Sequence, residues 1–514
     1  MQNMVLNSKS TLSEWPVRGE WERGRKMKRE MWGTCNIMDS DDSDYSSSSS
    51  NYVVPHSIHV NEPSKRQKSN LGLDIISNLP DFIIGHILSF LPTKTAVGTS
   101  VLSKKWIFMW TFITKLQLKD REPHQFRKRI KKTCFSNFVN RVLLHLNASS
   151  IQSFSLSISE NYDTSQVNEW ISAILSRRVK KLCVDFCSWK KLGFCSHSRE
   201  LDLSSHSLLS SQSLVELVLM MYDCVIKIPT FAYLSSLTIL KFSGITLTCH
   251  TSNKSEKLNL FFPVLRELEM KRCTWLRVKG VTLEVPLLQV VSIDNSRLKP
   301  LSDGSYTEIK FCARCFTKFT YVGYMLSDNI FLDLSETNVA SAVIDLHKFK
   351  VEREEETGIL ACKLLKQFSN NVKCLKFQRS EVFIKAKDYF VDLPHFENLS
   401  RLELNIVAAE ILLDLLRKTP LLRTLVFMGL LQFDKEVLDS AIVPDCFACT
   451  LQVVNFGGFH GYEHEGKNKV KNKLQLISAN VPNCFVTSFQ VIEFRSFNGY
   501  EHELHFAKFT MENA

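Results

Sequence analysis

A short hydrophobic motif returns along the chain between residues 179 and 427. Each copy has the form apolar-x-x-apolar-x-apolar, and most steps between successive copies are 23 to 29 residues, with longer steps of 35 and 33. The alternation predicts a strand with one buried face, and the spacing predicts one strand and one returning helix or irregular segment per unit. One unit cannot bury its apolar edge alone, so neighbouring units must stack. The ten copies are Val179-Leu182-Val184, Leu214-Leu217-Leu219, Leu237-Leu240-Phe242, Leu265-Leu268-Met270, Leu288-Val291-Ile293, Phe316-Phe319-Tyr321, Val339-Ala342-Ile344, Val372-Leu375-Phe377, Leu399-Leu402-Leu404 and Leu422-Leu425-Phe427.

Strands that alternate with returning segments are also found in doubly wound parallel sheets. Those sheets often carry a glycine-rich phosphate loop after a strand, and no such loop follows any strand predicted here. The favoured fold class is therefore α/β, with a short all-α segment followed by a leucine-rich-repeat solenoid of strand plus helix or irregular units. The predicted array covers residues 151–440.

A different hydrophobic pattern precedes the repeats. Apolar residues at 83, 84, 87, 88 and 91 share one face of a predicted helix. Pro92 ends this helix, Thr93 can cap the next one, and a third short helix carries Trp106 and Trp110. Helices this short bury little surface together, so a partner protein is expected to cover part of their apolar face.

This helical segment resembles the plant F-box. The similarity runs without a gap from Asp74 to Trp110 and includes Leu79-Pro80-Asp81, with Lys105 where the family usually has Arg. The resemblance implies an F-box at residues 71–118 that docks on the adaptor subunit of an SCF-type ubiquitin ligase and, through it, on a cullin. The resemblance implies nine residues that either contact the adaptor or fill the internal core of the F-box. The sequence alone does not say which residues do which. They are Leu79, Pro80, Ile83, Ile87, Leu88, Leu91, Pro92, Leu102 and Trp106.

Two further segments flank the F-box. An amphipathic pattern at 135–144 resembles the linker helix of F-box proteins that carry this repeat type, and the basic linker is placed at 119–150. The basic run at 126–132 is most simply a solvated loop or helix face, with nuclear import or an acidic partner as the alternative. Residues 1–70 have no periodic apolar pattern and contain the run Ser46–Ser50, so they are expected to be a disordered tail. The run Lys65-Arg66-Gln67-Lys68 is either a solvated linker cluster or a weak nuclear-import signal.

The C-terminal region contains a duplication. Residues 443–465 recur as residues 481–503, and 13 of the 23 aligned positions are identical. Each copy has an apolar stretch that predicts a strand (Leu451, Val453 and Phe456; Phe489, Val491 and Phe494). The region resembles the FBD module of plant F-box proteins, which implies a partially duplicated and truncated FBD-like segment at 441–514.

Composition and charge restrict where the protein works and what it binds. Met1–Ser10 lacks a signal-peptide pattern, and the longest leucine-rich stretch, Ala408–Leu416, is too short to span a bilayer. We therefore expect the protein in the cytoplasm, the nucleus or both, with its cysteines as reduced thiols. The net charge of +11 is spread over 514 residues, so neither nucleic acid nor membrane is a predicted partner.

The sequence does not predict catalytic activity or metal binding by this chain. The pairs Cys312–Cys315 and Cys446–Cys449 lie in different predicted units, which favours core cysteines over a zinc site. No hydrolase, nucleotide-binding or kinase motif is present, so no catalytic residue, metal or cofactor is predicted. The leading hypothesis is a non-catalytic substrate receptor of a ubiquitin ligase whose repeats bind an unknown protein substrate. The alternative is a repeat scaffold with a vestigial F-box.

Overall fold

The computed structural model describes the chain in two compact units, Met1–Tyr162 and Asp163–Ala514. The expected tail at 1–70 and most of the FBD-like segment lie outside the described residues. The described residues are 76, 78–120, 132–147, 151–159, 162–186, 199–200, 208, 211–249, 256–296, 307–324, 328–333, 339–347, 354–430, 444–446, 450–456, 491–494, 505 and 508.

The first unit combines short helices with a pair of parallel strands. Its elements are α1 (Asp81–Leu88), α2 (Thr93–Gly98), three 3-10 turns (Thr99–Val101, Lys105–Ile107 and Met109–Phe112), β1 (Lys115–Lys119), α3 (Lys132–His145) and β2 (Ser153–Ile158). β1 and β2 pair in parallel, and both lie in this unit. Helix α3 confirms the predicted amphipathic helix and buries Phe135, Phe138 and Val142.

The prediction that Thr93 caps the second helix is wrong. Pro92 occupies the N-cap position of α2, and no side chain caps that helix. The Thr93 side chain is buried and its Oγ1 instead accepts a hydrogen bond from the backbone N–H of Gln117 in β1, at 2.7 Å. The third predicted helix is a set of 3-10 turns.

The expectation of reduced cysteines is wrong at Cys134, which is disulfide-bonded.

The second unit contains a long sheet of parallel strands. Along this sheet the strands follow the order β3-β5-β7-β9-β12-β14-β16-β17-β18-β19-β20-β21. Short strands β4 and β10 pair with β5 and β7. The strands of this sheet are β3 (Lys181–Phe186), β4 (Arg199–Glu200), β5 (Glu216–Ile228), β7 (Ile239–Cys249), β9 (Glu267–Lys271), β10 (Thr274–Leu276), β12 (Val290–Asp294), β14 (Lys318–Gly323), β16 (Val339–Leu346), β17 (Val372–Gln378), β18 (Arg401–Val407), β19 (Thr424–Leu430), β20 (Val453–Phe456) and β21 (Val491–Phe494).

The ten hydrophobic motifs determine the register of this sheet. Each motif lies at one of ten successive strands, and equivalent motif residues are direct partners across neighbouring strands. Leu402, for example, lies opposite Leu425, and both side chains are fully buried. Apolar ladders therefore run from strand to strand on the inner face. The ten predicted strands are present, and the predicted α/β class is confirmed.

Several returning segments are strands, whereas the sequence predicts helices or irregular chain. They form a second, five-stranded sheet in the order β15-β13-β11-β8-β6. The alternation of buried and exposed residues along them, as in Thr307–Cys312, gives this sheet one core face. The strands are β6 (Phe231–Tyr233), β8 (Glu256–Phe261), β11 (Val278–Glu284), β13 (Thr307–Cys312) and β15 (Asp328–Asp333).

Helices form the returning segments elsewhere in the second unit. They are α4 (Thr164–Leu175), α5 (Glu354–Lys366), α6 (Lys387–Val391) and α7 (Ala409–Arg417), with a 3-10 helix at Ser380–Ala386.

Gln367, directly after α5, covers the edge of β15 with its side-chain amide. Its Nε2 donates to the carbonyl of Ile330 at 2.9 Å, and its Oε1 accepts the N–H of Leu332 at 2.6 Å. The amide thus makes the pair of hydrogen bonds that a further strand would make.

The two C-terminal copies add one strand each to the end of the long sheet. β20 pairs with β19 and β21 with β20, and Leu425, Val454 and Ile492 occupy one register position. Leu451 and Val454 are fully buried, whereas Val453 is half-buried. Val454 is therefore the inward residue of β20, and the predicted strand is present. Leu451-Val454-Phe456 and Phe489-Ile492-Phe494 repeat the motif of the ten preceding units.

The junction before β20 has the same hydrogen bonds as the junctions before earlier strands. The N–H groups of Gln452 and Val453 both donate to the carbonyl of Arg423 at 2.9 Å, as those of Arg423 and Thr424 do to Ser400. The Thr450 hydroxyl also donates to the carbonyl of Leu422 at 2.9 Å. The first C-terminal copy thus joins the sheet as a repeat unit does.

We predict that Val454→Ala destabilises the end of the sheet and that Val453→Ala has a much smaller effect. Removing two buried methyl groups is expected to lower the local unfolding free energy by about 1–3 kcal/mol, because the cavity at Val454 lies against β19. Native-state hydrogen exchange of the amides of β19 and β20 measures it. A larger loss in Val453→Ala would contradict this register.

Candidate functional site

Helix α1 has two faces with opposite environments. Ile84, Gly85 and Leu88 point into the first unit and are buried. The other side presents Phe82 and Ile87, with exposed fractions of 68% and 43%. A soluble domain rarely leaves large apolar side chains together on a helix unless a partner covers them.

The structure divides the nine sequence-predicted contact residues into three groups. Leu88 is buried in the core, so it supports the helix from inside and offers no contact surface. Leu79, Ile83 and Trp106 are half-buried. The exposed group is Pro80, Ile87, Leu91, Pro92 and Leu102. Adaptor contact by the exposed and half-buried residues stays a prediction.

Lys105 ties the Leu79-Pro80 segment to the 3-10 turns. Its ammonium group donates a hydrogen bond to the carbonyl of Leu79 at 3.2 Å and lies 4.0 Å from the Asp81 carboxylate. The carbonyl of Pro80 accepts the N–H groups of Ile83 and Ile84 and so begins α1. Leu79 and Pro80 are therefore fixed at the start of the exposed helix face.

Several exposed apolar residues of the first unit were not among the predicted contacts. They extend the apolar surface beyond the nine predicted positions. A signal was available in the sequence, because Phe82 and Phe90 fall outside the stripe that the helix uses for its core. The residues are Ile76, Phe82, Phe90, Val101 and Phe108.

The second unit has a polar surface on the long sheet, which we call the open face. It consists of the side chains that alternate with the buried motif residues on β3 to β19. Lys241 donates to Glu267 at 2.6 Å and lies 3.3 Å from Glu269. Lys181 pairs with Glu216 at 2.7 Å, and further along the face lie the pairs Lys376–Glu403, Arg401–Glu403 and Arg379–Asp345.

Two groups of the open face, Lys241 and Glu269, have pKa values shifted toward their charged forms. The hydrogen bond to Glu267 raises the pKa of Lys241, although partial burial opposes it. Burial alone would raise the pKa of Glu269, but its ion pairs with Lys271 and Lys241 lower it below the usual value. The charges are paired within the sheet, while β12, β14 and β16 present the neutral residues Ser292, Thr320 and Val343 between the charged groups.

The described cysteines give no sign of a shared metal site. Cys312 is half-buried and Cys315 is exposed, and burial raises the pKa of the Cys312 thiol. Cys446 is buried, with its thiol 3.5 Å from the carbonyl of Leu416, and Cys449 lies outside the described residues. No three His, Cys, Asp or Glu side chains come together as a metal-binding group in the described part of the chain.

The described helices include none long and apolar enough to cross a membrane.

Comparison with known protein families finds two domain matches, one in the first unit and one at the C-terminal duplication. Residues 76–111 match the F-box domain family, and residues 477–514 match the FBD family. The first match covers α1, α2 and the 3-10 turns, and the second covers the second copy of the duplicated segment. The resemblance to plant F-box/FBD/leucine-rich-repeat proteins is confirmed.

Several relatives of this chain are proteins of Arabidopsis thaliana. An F-box/LRR-repeat protein is 33% identical over 237 residues, which are 45% of this chain and 58% of that protein. An F-box/FBD/LRR-repeat protein is 32% identical over 256 residues, 49% of this chain and 53% of its own length. A second F-box/LRR-repeat protein is 28% identical over 430 residues, 76% of this chain and 86% of that protein. The chain thus spans little more than half the length of the first two.

We predict that Gly85→Ala loosens the F-box and that Gly98→Ala does not. A Cβ atom at Gly85 would lie 2.6 Å from Cβ of Phe112, so α1 must move off the 3-10 turn at Met109–Phe112. Overpacking of this kind costs about 1–3 kcal/mol. A Cβ atom at Gly98 meets nothing within 4 Å, and the loss of chain entropy in the unfolded state is expected to stabilise by about 0.4–1 kcal/mol.

The matched pair is compared by hydrogen exchange of the α1 and α2 amides in the full chain. Faster exchange in Gly85→Ala with unchanged or slower exchange in Gly98→Ala is the expected result. Equal protection in the two variants would mean that α1 does not pack this closely on Phe112.

Proposed function

We propose that this protein is the substrate-recognition subunit of an SCF-type ubiquitin ligase. Its F-box binds the adaptor subunit and, through it, the cullin. Its repeats bind a protein substrate, and partner subunits carry out ubiquitin transfer. The chain itself contributes no catalytic group and no cofactor.

The observation that carries this proposal is the apolar surface of the F-box. The F-box sequence match coincides with a helix whose inner face completes a core and whose outer face is exposed and apolar. Interfaces bind through a compact apolar centre with aromatic anchors, rather than through groups suited to catalysis. Pro80, Ile87 and Leu102 are exposed apolar residues of this surface, and Leu79 is half-buried.

The long sheet supports the second part of the proposal. Its strands follow one another nearly in chain order, are parallel, and repeat one motif in register, as the units of a leucine-rich-repeat solenoid do. The inner face is filled by the motif residues, so the open face is the side that remains for a partner. We propose that the substrate binds there and that the FBD-like copies lengthen the sheet by further strands.

Ubiquitin transfer in this proposal depends on proximity. A receptor that holds the substrate beside the ubiquitin-carrying enzyme raises the effective concentration of a target lysine without any chemistry of its own. The proposed place of action is the cytoplasm, the nucleus or both. Which protein serves as substrate is decided by side chains scattered over the open face.

We predict that Leu79→Ala combined with Pro80→Ala weakens adaptor binding by about tenfold or more, because the pair is held rigidly at the start of the exposed helix face. The measurement is calorimetric titration of the full chain with purified adaptor. Leu144→Ala is the matched control, since Leu144 of α3 is 76% exposed in the same unit and is not a predicted contact.

Two results would contradict the proposal. If the unmodified chain does not bind the adaptor, the receptor function is wrong, and a repeat scaffold with a vestigial F-box takes its place. If the chain binds and the double variant binds equally well, then Leu79 and Pro80 are not the contacts.

A further inference from the structure

We infer that Phe82 and Phe90 are aromatic anchors of the adaptor interface, additional to the contacts implied by the F-box resemblance. This inference rests on the proposed function and names two further residues of the same surface. Each ring is 68% exposed, more than any other large apolar side chain of the described F-box residues.

The two rings lie at opposite ends of α1. Phe82 is in the first turn and is a neighbour of His86 on the helix surface, whereas Phe90 follows two residues after Leu88 and reaches the His86 ring from there. Ile83 and Ile87 form the adjacent row of the same helix. Ile84 and Leu88 occupy the opposite, buried side. The two rings therefore widen the predicted contact surface and do not belong to the core.

Phe90 is held in place although it is exposed. The His86 ring meets it edge to face, with 5.2 Å between the ring centroids. The ammonium group of Lys115 in β1 lies 4.7 Å from the centre of the Phe90 ring. A ring that is already oriented loses little side-chain freedom when a partner covers it, which favours tight binding.

The charges around the rings indicate the kind of partner. Lys94, Lys104 and Lys105 are exposed near the ends of the short helices, and Lys115 lies over Phe90. A complementary surface has an apolar centre and an acidic rim. Because the two rings lie beside the predicted adaptor contacts Ile83, Ile87 and Leu91, the occupant that we propose is the adaptor subunit, with a second copy of this chain as an outcome of the test.

The experiment compares Phe82→Ala, Phe90→Ala and Leu144→Ala in the full chain. Calorimetric titration with purified adaptor is expected to show at least about tenfold weaker binding for each phenylalanine variant and no change for Leu144→Ala. Phe82 and Phe90 project from the unit, so hydrogen exchange of α1 should stay unchanged. A loss of affinity together with faster exchange throughout α1 would overturn the anchor role in favour of a structural one.

A second comparison isolates the orienting contact of Lys115. Lys115→Met is expected to weaken adaptor binding less than Phe90→Ala does, and to have little further effect when Phe90 is already alanine. Equal effects of Lys115→Met with and without the Phe90 ring would show that Lys115 acts independently of the ring, and would overturn its orienting role.

The outcomes separate this inference from the proposed function. If the unmodified chain does not bind the adaptor, the proposed function fails, and the anchor role fails with it. If the chain binds and both phenylalanine variants bind equally well, the proposed function stands and the anchor role is overturned. If the chain forms a dimer that Phe82→Ala dissociates while adaptor affinity is unchanged, the rings serve a second copy instead.

Discussion

In-register stacking of one apolar motif is the constraint on which the second unit depends. Each strand of the long sheet has an apolar edge that it cannot bury by itself, and it buries that edge against the equivalent residues of its neighbours. Leu375, for example, is covered by Ala342 on one side and Leu402 on the other, and all three are fully buried. The order of the strands, the parallel pairing and the division into inner and open faces all follow from this requirement.

The F-box uses apolar residues in a different way. Ile84 and Leu88 complete a small core, whereas Phe82, Ile87 and Phe90 remain outside it. A helix of 8 residues cannot bury apolar side chains on every side within so small a unit. The outer residues form the exposed apolar surface to which we propose that the adaptor binds, and the inner residues pack closely, as Gly85 does against Phe112.

Much of this architecture could be predicted from the sequence, because the apolar motif recurs at a nearly regular interval. The alternation of apolar residues within each motif is that of a strand with one buried face. The returning strands β8, β11 and β13 could not, since short apolar runs between motifs are equally compatible with irregular chain. In β20 two valines stand side by side, and only the pairing of Val454 with Leu425 decides which of them faces inward. At the site, the predicted contacts could not be divided by exposure, and Leu88 belongs to the core.

The amide of Gln367 has a consequence for how this protein behaves at high concentration. An uncovered edge strand displays a row of free donors and acceptors that any extended chain can join, and edge-to-edge growth of this kind is a common route to aggregation. At β15 a single side chain takes the donor and the acceptor that an intruding strand would need. The Gln367 amide thereby blocks the middle of the β15 edge against pairing with the backbone of another chain.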